Sequence, residues 1–328
     1  ALALPGTESA STTETRKHER RRGFPAELGL ALFVAVFFGA LHLITGRFLA
    51  ADSIAGLLAE GSLLFVCAAG AMLVLVAGGL DISLGAIVAL SAGVAGQLWE
   101  QGHPLSLVLP VAVLVGAAAG FLNAALAILG QVHPIVVTLG TMSIYRGWTL
   151  YWLGQDVQIA SQQRGWALAN WLGVPVLAWC GLALAVGLAL WLRRTVTGRQ
   201  LFALGSNPRA ARRVGISAGR VWLCAFTLQG ALAGLAGILF LARSGSLQPT
   251  SHEDVTLQAI AAAVVGGVAI TGGRGSILGV VVGCLLLVSL EPACIYLRLS
   301  PHWRLSLVGA VLLAAVVFDT LLRRRAVA

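Results

Sequence analysis

Ten apolar stretches dominate this chain, running approximately over 27–46, 61–77, 83–99, 104–129, 134–153, 174–192, 221–242, 256–271, 276–297 and 303–322. A bilayer's hydrocarbon core is about 30 Å thick and takes roughly 17–25 apolar residues per helix, so each stretch can cross it or nearly can. Strands of a lipid-facing barrel would alternate apolar with polar residues, and these runs do not. Of the 328 residues, 58% are hydrophobic and 11% charged, where soluble domains carry about 25% charged residues. Thirteen acids, 22 bases and six histidines cannot cover a soluble protein of this size. The expected fold class is an all-α polytopic membrane protein with about ten transmembrane helices. Pro104, Pro134, Pro175 and Pro301 support four helix starts, because a proline at the first helical position gives up an N–H that has no intrahelical partner.

The net charge of +9 raises nucleic acid as a partner, but nearly all the bases lie between apolar runs. Basic loops stay cytoplasmic. With both termini cytoplasmic, inner segments hold sixteen bases: Arg16, Lys17, Arg20, Arg21 and Arg22, seven arginines between 193 and 220, Arg274, and Arg323, Arg324 and Arg325. Outer loops hold five, namely Arg47, Arg164, Arg243, Arg298 and Arg304, while Arg146 lies within the fifth run. The bias requires an even number of crossings and makes lipid, not nucleic acid, the partner of this charge. Residues 1–26 read as a disordered cytoplasmic tail without the apolar core of a secretory signal. A transmembrane domain follows over 27–322, with a cytoplasmic loop at 193–220 and a basic cytoplasmic end at 323–328. Cys67, Cys180, Cys224, Cys284 and Cys294 all fall inside apolar runs without metal-ligand spacing, as packing residues do.

GGLDISLGAIV from Gly78 and GGRGSILGVVV from Gly272 share GG-x-x-x-x-LG-x-x-V, an internal repeat of the kind that two parallel structural repeats leave. Gly116 with Gly120, Gly230 with Gly234, and Gly279 with Gly283 form G-x-x-x-G patterns, which mark faces where helices pack closely. The lone lysine, Lys17, lies in the tail, so no G-x-x-x-x-G-K-[ST] phosphate loop exists. The chain therefore has no ATPase site of its own, and neither a zinc-protease motif nor a nucleophile elbow is present. His252, Glu253 and Asp254 form a polar cluster beside Pro249, weak as a metal site.

The stretch from Arg193 to Val221 carries seven arginines and no acid. Within it Asn207 is placed to cap a short helix, Pro208 to begin it, and Gly215 to end it in the left-handed conformation. Such ordered grammar exceeds what charge retention requires and points to a helix that docks on a protein. Polar residues within membrane segments are expensive. Asp81 and Ser83 in GGLDISLG, with Asn123, Thr138, Thr141, Arg146, Gln229 and Glu291, are accordingly candidates for a translocation path or gate. Helix capping by Asp81, and interhelical hydrogen bonding by the others, remain open beside that role.

Four elements resemble the permease subunits of bacterial sugar-importing ABC transporters, of ribose, rhamnose and autoinducer-2 type, in the branched-chain amino acid and ribose permease superfamily. They are GGLDISLG; GFLNAALAILGQVHPIVVTLGTMSIYRG from Gly120; TGRQLFALGSNPRAARRVGI; and AIAAAVVGGVAITGGRGSILG. The resemblance runs from about Gly39 to Leu322. It implies a multi-pass protein of the bacterial inner membrane and a second permease subunit, identical or paralogous. It also implies a periplasmic substrate-binding protein and two cytoplasmic ATPase subunits, which bind the ATP and Mg that this chain does not. The residues it assigns to ATPase coupling are Gly198, Arg199, Gly205, Asn207, Pro208, Ala210, Ala211, Arg212, Arg213 and Gly215. Glu291-Pro292-Ala293 departs from the family pattern. Two alternatives stay open: an ion-coupled secondary transporter using Asp81 or Glu291, and an ABC permease for branched-chain amino acids.

Overall fold

The computed structural model describes residues 26–153, 156–248, 254–300 and 302–327. The tail 1–25, and His252 and Glu253 of the polar cluster, lie outside the described residues.

Helices α1 (Ala26–Thr45), α2 (Ala51–Val76), α3 (Leu84–Glu100), α4 (Leu105–Leu129) and α5 (Pro134–Leu153) form the first half. A short connector follows: β1 (Val157–Gln158), α6 (Ser161–Leu168), β2 (Asn170–Trp171) and β3 (Val174–Pro175). The second half holds α7 (Val176–Arg194), α8 (Val196–Ser206), α9 (Pro208–Arg213), α10 (Ala218–Ser244), β4 (Ser246–Leu247), α11 (Val255–Val265), α12 (Ile277–Tyr296) and α13 (Trp303–Val327). The strands are two-residue pairings, β1 with β4 and β2 with β3, both antiparallel. By length and composition α1, α2, α4, α7, α10 and α12 can each cross a membrane; α3, α11 and residues 303–315 of α13 are apolar but shorter.

The bundle is built around α2, whose apolar window is 89% buried, against 11% for α1. Peripheral helices turn large apolar side chains outward, among them Leu43, Leu114, Leu129, Val136 and Leu313. That is the inverse of a soluble protein's surface and fits a lipid solvent. Small residues let α4 and α10 meet backbone to backbone. A Cβ added to Gly116 would fall 2.2 Å from the Gly230 carbonyl oxygen, one added to Gly120 2.1 Å from that of Phe226, and one added to Gly234 2.1 Å from that of Ala112. The two G-x-x-x-G patterns thus form one intramolecular seam.

Two helices differ from the sequence expectation. Helix α2 starts at Ala51, ten residues before the apolar run at 61, because Asp52, Ser53 and Glu60 line a cavity and need not face lipid. The run 256–271 stays helical only to Val265, where Gly267, at φ +89°, turns the chain. Val268 N–H then donates to the Ala263 carbonyl at 3.0 Å. At about 1.5 Å per residue, α11 spans roughly half a bilayer core.

Candidate functional site

Val76 ends α2, and Gly78, at φ +80°, reverses the chain so that residues 80–83 run back into the bundle. Asp81 is buried there, 4% exposed. Its Oδ1 accepts from the Ser83 N–H at 2.7 Å and the Ser83 hydroxyl at 2.6 Å. Its Oδ2 accepts from Gln229 Nε2 of α10 at 2.6 Å and Asn123 Nδ2 of α4 at 3.4 Å. Asn123 Nδ2 also donates to Ser83 Oγ at 2.7 Å, while its Oδ1 accepts from the Tyr145 hydroxyl of α5 at 3.1 Å. Thr138 Oγ1 accepts from the Ile82 N–H at 3.2 Å, and the Thr141 hydroxyl donates to the Thr138 carbonyl at 3.4 Å.

A buried carboxylate is tolerated when hydrogen-bond donors replace its water. The donors here are neutral and come from the turn itself, α4 and α10; α5 braces the network through Tyr145 and Thr138. The arrangement ties four elements that are remote in sequence, and its coupled bonds make the whole worth more than its parts. Gln229 Oε1 is buried and has no partner, leaving room for one more donor. Asp81 is not the cap of α3. Ser83 is the N-cap residue and makes no side-chain cap bond; Thr256 of α11 instead accepts from the Gly85 N–H at 2.8 Å.

Six residues singled out from sequence, Asp81, Ser83, Asn123, Thr138, Thr141 and Gln229, therefore meet in one place. Arg146 follows Tyr145 on α5 and is half-buried. Glu291 belongs elsewhere: it pairs with Arg304 of α13 at 2.6 Å, and Arg304 also holds Asp254 at 2.5 Å. Both acids and Arg304 line a cavity of about 720 Å³ between α2, α11, α12 and α13. Sequence reading missed Tyr145, whose place one helical turn after Thr141 was the available signal, and Arg304, an isolated base beside a helix start.

The arginine loop folds as two helices. Thr195 Oγ1 accepts from the Gly198 N–H at 3.0 Å to cap α8, and Asn207 Oδ1 from the Ala210 N–H at 3.0 Å to cap α9. Gly215, at φ +83°, ends α9. All seven arginines are exposed, while Gly198 and Ala211 face inward. Helix α8 sits on both GG turns of the internal repeat. A Cβ on Gly205 would lie 1.9 Å from the Val76 carbonyl oxygen, and one on Gly272 3.0 Å from the Cα atoms of Gly78 and Gly205. The Gly273 N–H donates to the Val76 carbonyl at 2.9 Å, and Ser206 Oγ to the Gly273 carbonyl at 3.3 Å. Trp222 Nε1 adds a bond to the Ala77 carbonyl at 3.2 Å. Any displacement of α8 therefore bears on the turn that carries Asp81.

The family model described as "Branched-chain amino acid transport system / permease component" matches residues 53–316. The chain is 31% identical over 299 residues to the "Autoinducer 2 import system permease protein LsrC" of Shigella flexneri, covering 90% of this chain and 87% of the relative. The protein of the same name from Enterobacter sp. (strain 638) is 33% identical over 300 residues, covering 91% and 88%. That of Photorhabdus laumondii is 30% identical over 299 residues, covering 90% of each. No solved structure matches.

Proposed function

The chain belongs to the family of branched-chain amino acid transport system permease components, and on that premise we propose that it is the membrane-spanning subunit of a sugar-type ABC importer in a bacterial inner membrane. Its substrate is a small sugar or sugar-like molecule of the ribose, rhamnose or autoinducer-2 class. The names of the relatives support that class. With both termini cytoplasmic, the 77–83 turn, the α8–α9 element and the 266–276 turn lie at the inner end, where the contacts around Gly205 gather them. The loops joined by the β1–β4 pairing lie at the outer end.

The observation that carries the reading is the α8–α9 element. Four exposed arginines, Arg199, Arg209, Arg212 and Arg213, stand on an ordered helix pair without an acid, Arg193, Arg194 and Arg220 flank it on the adjoining helices, and the pair rests on both repeat turns. We assign it as the surface that meets a cytoplasmic ATPase subunit, which binds the ATP and Mg. A second permease subunit and a periplasmic binding protein complete the importer. Closure of the ATPase subunits pushes α8. Gly205 passes the push to the Val76–Gly79 turn and to Gly272–Gly273, and the Asp81 network distributes it to α4, α5 and α10. Two packings of the bundle, open to opposite sides, are then the states that ATP biases.

Replacing Arg212 and Arg213 with glutamate tests the docking surface. Copurification of the cognate ATPase should fall at least tenfold while membrane insertion and the melting temperature stay unchanged; undiminished ATPase binding and uptake refute the assignment. The substrate class is read from the cognate binding protein, whose melting temperature rises with any ligand that binds only its folded state. A rise with pentoses, deoxyhexoses or autoinducer-2 supports the reading, and a rise with leucine alone overturns it.

A further inference from the structure

The cavity holding Glu291 stands apart from the Asp81 network and from the arginine face. It lies where α2, α11 and α13 begin and α12 ends, at the end of the bundle opposite α8 and α9. Its volume of about 720 Å³ lies within the roughly 300–1,000 Å³ typical of small-molecule sites and equals the volume of about two dozen waters. The charged groups of its wall are a third to a half exposed, Arg304 at 31%, Asp254 at 35% and Glu291 at 48%. Side chains of that exposure and charge belong in water, not hydrocarbon.

We propose that this cavity is an outward-facing vestibule for a small, neutral, polyhydroxylated molecule. The outward direction rests on the topology proposed above; the site rests on its own geometry. Three kinds of group converge. Arg304 presents a planar fork of five donors, of which NH1 goes to Glu291 and NH2 to Asp254, so donor capacity remains for a ligand oxygen. The carboxylates of Glu291, Asp254 and Asp52 keep free lone pairs that accept from hydroxyls. A polyol, with donors and acceptors on neighbouring carbons, satisfies both at once. Tyr296, held edge-on against the buried Phe48 with ring centroids 6.1 Å apart, gives the wall an apolar face for ring C–H groups.

Charge sets the sign of selection. Four carboxylates, Asp52, Glu60, Asp254 and Glu291, face the cavity against Arg304, with Arg243 neutralising Glu60 from behind at 3.2 Å. The excess of negative charge rejects anionic sugars. Arg304 joins α11, α12 and α13 in one ion triad, so a ligand inserted there bears on all three helices. Bridging the rim, the Ser53 hydroxyl meets the Tyr296 hydroxyl at 2.6 Å.

The test uses the full chain in oriented membrane vesicles, without ATPase or binding protein. Ser53→Cys places a thiol in the vestibule, and a membrane-impermeant maleimide reads its accessibility against the parent chain with its five native cysteines. Arg212→Cys marks the arginine side. Labelling of Ser53→Cys should come from the side opposite Arg212→Cys and slow at least threefold with D-ribose or L-rhamnose, but not with ribose 5-phosphate or choline. Gln258→Cys, also on the wall, repeats the measurement where Ser53→Cys fails to insert. Labelling from the Arg212 side, no slowing by either neutral sugar, or slowing by choline or ribose 5-phosphate overturns the proposal. The coupling assignment fails separately, in the ATPase copurification.

Discussion

Asp81 and Glu291 are both acids inside apolar sequence, and the bundle treats them in opposite ways. Asp81 is dry, 4% exposed, and ringed by neutral donors from the turn, α4 and α10. Glu291 is wet, 48% exposed, and paired with a guanidinium that it shares with Asp254. Dry carboxylates need donors with no competing partners, and that demands tight packing; the glycine seam supplies it by bringing α4 and α10 together. Wet carboxylates keep water, so even their short ion pairs are screened and contribute little to stability. One site is therefore built as a joint, and the other is open to solvent.

The comparison breaks most completely at the seam. Gly120→Val puts a branched side chain where even a Cβ would lie 2.1 Å from the Phe226 carbonyl oxygen. Such overpacking between backbones should cost more than about 3 kcal/mol, read as loss of monodisperse protein in detergent. Asp81→Asn keeps the shape but turns an amide donor toward Gln229 Nε2 or the Ser83 donors. It should lower stability by about 2–4 kcal/mol, a lost charge-assisted bond plus an unsatisfied buried donor, with a matching drop in melting temperature and in uptake. An unchanged melting temperature would show that the network holds nothing together. The smallest effect is expected at the wet site: Glu291→Gln should change stability by less than about 1 kcal/mol, because half-exposed ion pairs are screened. A loss as large as that of Asp81→Asn would mean that the two acids sit in similar surroundings.

Much of the architecture was legible because lipid imposes a coarse rule. An apolar run near 20 residues must be a helix or lie within one, so α1, α4, α5, α7, α10 and α12 have ends near those read from the sequence. Capping grammar was legible for the same local reason: Asn207, Pro208 and Gly215 act within one or two turns of themselves. The rule failed where surroundings overrode composition. Asp52, Ser53 and Glu60 made the start of α2 look like a loop, yet a cavity that spares them contact with lipid lets them stand on a helix. The apolar run through Val268 and Ile270 looked like a crossing, yet the pair Gly266–Gly267 ends α11 half-way.

By itself the sequence determined that this chain is helical and membrane-embedded, that it lacks a phosphate loop, and that each polar residue in an apolar run stands out. Those properties depend on neighbours within a few turns and on the solvent the chain faces. Only the tertiary structure decided which of those residues are partners. Asn123 and Gln229 lie 42 and 148 positions from Asp81, and Arg304 lies 13 and 50 from Glu291 and Asp254. Hydrogen bonds and ion pairs are short-ranged, so helix packing settles which distant side chains come within 3 Å, and no local pattern records that choice.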